Sequence, residues 1–282
     1  MKNILIDISG KIENYYIEPL IEIKNFAGAL NIHFFVIGAF ARDIIMEHIH
    51  RIKSPRMTMD IDLGIRVSSW NQFGSLMTKL ESSGNFKKTK EKQRIIYKNE
   101  VIIDIVPFGN ISNKDEKISW PPENEITMSV LGFNEIYNNA TTVRLQNNPK
   151  LEIKIPTLPG LAVLKLLSWN DNYPNRPKDA EDLFFILSNY EYTGIENKLY
   201  ESELSLLESE DFDNQAAGIT LLGKEMKIIS SKKTVKYIRE ILDNETSENS
   251  NYNLIGDISI NSKINFDRIL FFIKKLKKGF NN

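Results

Sequence analysis

Short apolar runs alternate with longer stretches of helical spacing over the first half of the chain. Ile17, Leu20, Ile21, Ile23 and Phe26 line one side of a helix predicted over about 13–31. His33-Phe-Phe-Val-Ile37 then reads as a short strand that ends at Gly38. Phe40, Ile44, Ile45 and Ile49 recur at helical spacing and predict a helix from Ala39 to about Ile52, broken by Ser54-Pro55. Met57 to Val67 alternates as a strand does, and Trp70 to about Leu80 follows as a helix capped from Ser68-Ser69. Arg94–Tyr97 and Val101–Val106 predict a hairpin over Lys98-Asn99-Glu100.

Residues 107–128 are polar and carry Trp120-Pro-Pro-Glu, which predicts a long loop near the active site. Thr141–Leu145 and Leu151–Ile155 are two further strands around Asn147-Asn-Pro. Beyond Pro159 strand signals largely vanish, and helices are expected over roughly 159–170, 178–190, 196–208, 213–230, 232–243 and 264–278. The expected organisation is an α/β (α+β) domain with a mixed sheet over 1–157 and a helical domain over 158–282, with the active site in the cleft between them. The Asn-, Ser- and Glu-rich stretch 244–263 reads as a mobile linker before the last helix. That helix ends in Lys274, Lys275, Lys277 and Lys278, which either touch RNA phosphates or solvate a packed helix whose dipole they complement.

Composition narrows the chemistry. With 36 basic and 37 acidic residues, net charge argues for no particular partner. The absence of cysteine excludes disulfides, thiolate metal sites and cysteine catalysis. Three histidines, two of them diverging on one predicted helix, do not suit a zinc hydrolase. The first residues have an acid inside their apolar stretch and do not read as a signal peptide, and no apolar run approaches membrane-spanning length. A soluble cytoplasmic protein with no membrane partner is the expectation.

What remains is a set of carboxylates. Asp60 and Asp62 stand two apart on a predicted strand and so share a face. Asp is a poor strand former, and two in one short strand call for a reason that metal ligation supplies. Asp104 interrupts the apolar strand Val101–Val106, where it either joins the same metal site or pairs with a base such as Arg94. Converging carboxylates suit Mg²⁺, or Mn²⁺ in its place, and nucleotidyl transfer is chemistry that needs it. Gly38, between strand and helix, lets the backbone pass close to a bound group, and a triphosphate suits the amides that follow. Lys165 is the one charge in Leu161–Trp169, either snorkelling from a packed helix or reaching a phosphate. Asp179 and Asp182 share a face of the helix that Lys178 opens.

These residues carry a resemblance to the polymerase-β-type nucleotidyltransferase superfamily, in which a glycine turn precedes Asp-x-Asp and a third strand acid follows. Gly38-Ala-Phe-Ala-Arg-Asp43 is similar to the Gly-Gly-x-x-Arg-Asp form of CCA-adding enzymes. Arg56, Thr58, Asp60 and Asp62, with Lys165, Leu166, Lys178, Asp179 and Asp182 later, resemble more narrowly the AbiEii-like group, the nucleotidyltransferase toxins of type IV toxin–antitoxin and abortive-infection systems. The resemblance spans about residues 33–190. It implies an NTP-dependent enzyme in which Asp60, Asp62 and Asp104 hold Mg²⁺, Gly38, Ala39, Arg42, Lys165 and Lys178 hold the nucleotide, and Asp179 is needed for activity. An RNA acceptor, especially a tRNA end, is then the expected partner, ahead of a protein hydroxyl or an aminoglycoside-type small molecule, and a cognate antitoxin protein is implied. The sequence departs from the pattern at Ala39, where the group's serine is absent, at Asn172, where an arginine is common, and in Pro174 and Pro177.

Overall fold

A computed structural model describes residues 5–261 and 264–282, with no account of the side chain at 261. It divides into two compact units, one of Met1–Ile49 with Arg56–Thr157, the other of Leu158–Asn282 with His50–Pro55.

The first unit is built on an eight-stranded mixed sheet. Its strands are β1 (Ile6–Asp7), β2 (His33–Ile37), β3 (Asp60–Val67), β4 (Phe86–Lys88), β5 (Arg94–Tyr97), β6 (Val101–Gly109), β9 (Thr141–Gln146) and β10 (Leu151–Ile155), in the order β1-β9-β10-β2-β3-β6-β5-β4. The remaining two, β7 (Lys117–Ser119) and β8 (Thr127–Ser129), pair apart from the sheet inside the stretch expected to be a loop. At the centre β2 runs antiparallel to β3, and β3 parallel to β6.

Strand period divides β3 between two environments. Ile61, Leu63 and Ile65 are fully buried. On that side lies α1 (Asn14–Ala29), whose Glu22 accepts from the Tyr97 hydroxyl at 2.8 Å, and α3 (Trp70–Ser82) packs beside it. The other face carries Asp60, Asp62, Gly64 and Arg66. Its lower half is an aromatic cluster of Phe35, Phe108 and, from α4 (Phe133–Asn138), Phe133 and Tyr137. Gly64 makes room for that cluster: a Cβ there would lie 2.2 Å from the Phe35 ring. The upper half of the face, at the N-terminal end of β3, holds the carboxylates.

Local signals act as expected at several points. Ser69 caps α3 by accepting from the Gln72 amide. The helix after Gly38 is split, however, into α2 (Gly38–Asp43) and a π-helical turn over Ile44–Ile49. Such π turns within helices are frequent at functional sites.

The second unit is helical: α5 (Leu158–Asp171), α6 (Pro177–Asn189), α7 (Glu196–Glu201), α8 (Leu204–Glu208), α9 (Asn214–Ile229), α10 (Lys232–Thr246), α11 (Asn253–Asn261) and α12 (Phe266–Asn281). Here the expected linker over 244–263 is corrected. Helix α10 continues through Thr246, and α11 buries Leu254, Ile255 and Ile258, so the polar composition conceals a short amphipathic helix; residues 262 and 263 lie outside the described residues. No helix among the described residues is long and apolar enough to cross a membrane.

Candidate active site

Pairing brings together what the sequence keeps far apart. Asp62 of β3 lies level with Asp104 of β6 on one side and with Ile37 of β2, the residue before Gly38, on the other. Because parallel neighbours in register share a face, Asp60, Asp62 and Asp104 all stand on the same side of the sheet. All three are half-buried.

Gly38 adopts φ +69°. A Cβ on it would fall 1.9 Å from Asp62 Oδ2 and 2.7 Å from its Cγ. Both the left-handed backbone and the closeness of the carboxylate therefore require glycine. Ala39 follows in the first turn of α2 and supplies an amide but no hydroxyl.

The segment leading into β3 is tied down from α1. The Tyr16 hydroxyl donates to the Thr58 carbonyl at 2.5 Å, and its ring stacks on Phe40 with centroids 4.5 Å apart. Burial pushes this phenol up to about 12, so it remains a donor at neutral pH. Tyr15 reaches the Met59 carbonyl at 3.3 Å. Thr58 in turn donates its Oγ1 to Asp60 Oδ1 at 2.5 Å, fixing one carboxylate oxygen and leaving the orientation of the other set by the strand. Tyr15 and Tyr16 carry no motif, and sequence reasoning misses them; only α1 crossing the start of β3 gives them a role.

Asp104 has a different partner. Arg94 of β5 lies opposite it in register and grips it with two bonds, Nε to Oδ1 and Nη2 to Oδ2, each 2.8 Å. Those hydrogen bonds hold the guanidinium firmly protonated against the opposing pull of burial, and the charges of Asp104 and Asp60 add to the effect. The ion pair that was one of the two readings of Asp104 is thus present. The hairpin could have announced it, since a turn that sets Tyr97 opposite Val101 also sets Arg94 opposite Asp104.

Asp60 and Asp62 present hard oxygen donors on one face, which is the set a divalent Mg²⁺ or Mn²⁺ takes. Among the described residues, though, no three His, Cys, Asp or Glu side chains form a group that could hold an ion together. Asp104, the third acid expected there, has both oxygens engaged by Arg94.

Arg42, expected at the triphosphate, is turned inward. It is fully buried, donating through Nε and Nη2 to Asp43 Oδ1 at 2.9 and 2.7 Å and through Nη2 to the Arg56 carbonyl at 2.9 Å. A buried guanidinium needs such partners, and it here fastens α2 to the segment before β3.

In the second unit Lys165, Asp179 and Asp182 form one buried cluster. Lys165 Nζ lies 2.7 Å from Asp179 Oδ1 and 2.7 Å from Asp182 Oδ2, and Ser168 Oγ donates to Asp179 Oδ2 at 2.8 Å. Burial pulls the Lys165 ammonium down, but the two carboxylates outweigh it and hold the group above its ordinary 10.5. Burial likewise opposes ionisation of Asp179, and Lys165 reverses it, keeping the carboxyl below 3.8. Lys178, in the first turn of α6, is exposed. The basic C-terminal helix is also committed within this unit: Lys275 and Lys278 pair with the buried Glu210, and Lys277 with Asp243 at 2.8 Å.

Comparison with known proteins adds a family. A model described as "Nucleotidyl transferase AbiEii toxin, Type IV TA system" matches residues 27–249. No curated protein matches. Among solved structures, a nucleotidyltransferase-like antigenic protein from Paracoccidioides brasiliensis is 15% identical, over 72% of this chain and 92% of its own, at a TM-score of 0.40. The antibiotic-resistance factor ANT(2'')-Ia is 12% identical over 71% and 99%, at 0.36. A Thermotoga maritima CCA-adding enzyme solved with tRNA is 13% identical over 96% and 82%, at 0.31. The family match runs through both carboxylate-bearing segments, Asp60–Asp62 and Lys165–Asp182, and on it the chain, a nucleotidyltransferase with the mixed α/β fold described above, belongs to the AbiEii nucleotidyl transferase toxin family of type IV toxin–antitoxin systems.

Proposed function

We propose that the protein moves an NMP from an NTP to the hydroxyl of an RNA acceptor, foremost a tRNA end, in a Mg²⁺-dependent reaction. The observation that carries this reading is Gly38 turned in the left-handed region directly against the Asp62 carboxylate, with Asp60 beside it on the same face. A backbone pressed that close to an acid suits a site where a phosphate chain and its cation meet.

In this reading Asp60 and Asp62 hold the cation, which when bound supplies charge neutralisation on the triphosphate and activation of the attacking oxygen. Thr58 keeps Asp60 aimed, and the amides of Gly38 and Ala39 receive phosphate oxygens. Lys165, Asp179 and Asp182 act by position: they join α5 to α6 within the helical unit. The acceptor hydroxyl attacks the α-phosphorus, its proton leaves to solvent, and pyrophosphate departs. Cytoplasmic action and control by an antitoxin protein accord with the family's toxin–antitoxin label.

The test is incubation of the protein with each α-labelled NTP, Mg²⁺ and total tRNA, beside Asp62→Asn. Label in tRNA from one nucleotide, reduced by several orders of magnitude in the variant, is the expected result, since positioning and electrostatics supply nearly all of this catalysis. Label on protein or on a small molecule instead would replace the acceptor. Transfer by Asp62→Asn at the unsubstituted rate would overturn the assignment of the site.

A further inference from the structure

Resting on the site proposed above, we infer that this protein withholds its third strand carboxylate from the metal, and that Arg94 stands in its active site as a fixed cation. Three observations converge. Asp104 shares the face and register of Asp62, the place from which a third ligand would come. Both of its oxygens are already taken by a two-pronged guanidinium at 2.8 Å, the strongest geometry a carboxylate can adopt with a side chain. And Arg94 is no loose surface residue: it is held in register by β5, with its side chain only one-third exposed.

For Asp104 to ligate an ion, Arg94 must let go of both oxygens, and the guanidinium would then remain beside a divalent cation. Like charges at such range repel strongly in a half-buried site. The arrangement therefore favours one cation on Asp60 and Asp62, with the Arg94 guanidinium contributing the positive charge that a second ion would otherwise bring. Arg94 is a positioning residue in this scheme, because it holds Asp104 and shapes the field without replacing Asp60 or Asp62.

Mn²⁺ binding followed by electron paramagnetic resonance, in the presence of a non-hydrolysable NTP analogue, tests this without turnover. The unsubstituted protein should take up one protein-dependent Mn²⁺ beyond that bound by the analogue in solution. Asp60→Asn should lose it, and Asp104→Asn, which leaves the Arg94 guanidinium unpaired beside the site, should weaken it. Arg94→Gln frees Asp104 and should admit a second ion. Because a lone half-buried carboxylate can unsettle the fold, the double variant Arg94→Gln/Asp104→Asn serves beside it and should return to one ion. Two ions in the unsubstituted protein, or an affinity that falls about 10-fold or more in Arg94→Gln/Asp104→Asn, as loss of a ligand or its immediate support does, would overturn the inference. Absence of Mn²⁺ from every form would overturn the underlying site as well, and is thereby told apart from failure of the Arg94 assignment alone.

Discussion

Gly38→Ala separates a site built against the backbone from an ordinary turn. The substitution meets two penalties. An alanine at φ +69° carries the left-handed cost of about 1–2 kcal/mol. Its Cβ would also stand 1.9 Å from Asp62 Oδ2 and 2.9 Å from Asp62 Cβ, so the carboxylate must rotate away, at about 0.5–1.5 kcal/mol if it leaves its rotamer, and the backbone must give by a little to clear the Asp62 Cβ. Together these come to about 2–3 kcal/mol, which for a unit of this size is a fall of roughly 5–10 °C in Tm. The effect on rate should be larger than stability alone explains, because displacing a catalytic group by about 1 Å costs on the order of 100-fold. Gly38→Asn divides the two terms: asparagine tolerates the left-handed region but still brings a Cβ, so Tm should recover in part while the rate does not. Thermal denaturation and label transfer to tRNA, measured on both variants, read the two quantities. A Gly38→Ala protein that melts and transfers as the unsubstituted one does would refute the placement of this glycine against Asp62.

Other outcomes follow from the buried charges. Lys165→Met removes the buried ammonium that Asp179 and Asp182 share, leaving Asp179 only the more exposed Arg176 at 3.6 Å as a cation, and should destabilise the helical unit by about 3–5 kcal/mol in urea denaturation. The same cluster gives a pH dependence of known sign. Asp179 is held below 3.8, so its contribution is present above that value and is lost as pH falls through its folded pKa. Lys165 is held above 10.5, so its contribution is intact below that value and is lost as pH rises through its folded pKa. Urea midpoints should therefore form a plateau from about pH 4 to about pH 10, and the alkaline fall should be smaller in Lys165→Met, where the buried tyrosines still contribute to it. Glu210→Ala removes the carboxylate shared by Lys275, Lys278 and Thr220, and about 1.5–3 kcal/mol should be lost, read again in urea. If Lys275→Ala/Lys278→Ala instead leaves stability untouched and abolishes transfer to tRNA, those lysines serve RNA and the structural reading fails.

Much of the fold follows from local periodicity, which a sequence carries openly. His33–Ile37, the cap at Ser69 and the helices on either side of Pro177 form where spacing and capping residues predict them, because each depends on neighbours within a few positions. The shared face of Asp60 and Asp62 is of the same kind, since a strand alternates with period two whatever it pairs with. The helix over 253–261 was illegible for a different reason: Leu254, Ile255 and Ile258 do carry helical spacing, but the polar run over 244–252 before them dominates the composition of the window.

Apart from the Arg94–Asp104 pair, which the predicted hairpin already brings opposite each other, the tertiary structure alone decided the partners of the charges. Asp62 meets Asp104 only because β3 pairs in parallel with a strand some forty positions later in the chain. Arg42 is drawn under the surface by Asp43 and the Arg56 carbonyl, and Lys165 is enclosed by Asp179 and Asp182. The sequence determines which charges exist and which face of an element they occupy. Whether a charge is left to solvent or must be neutralised depends on what is buried around it, and burial is a property of segments distant in the chain that only the folded packing brings together.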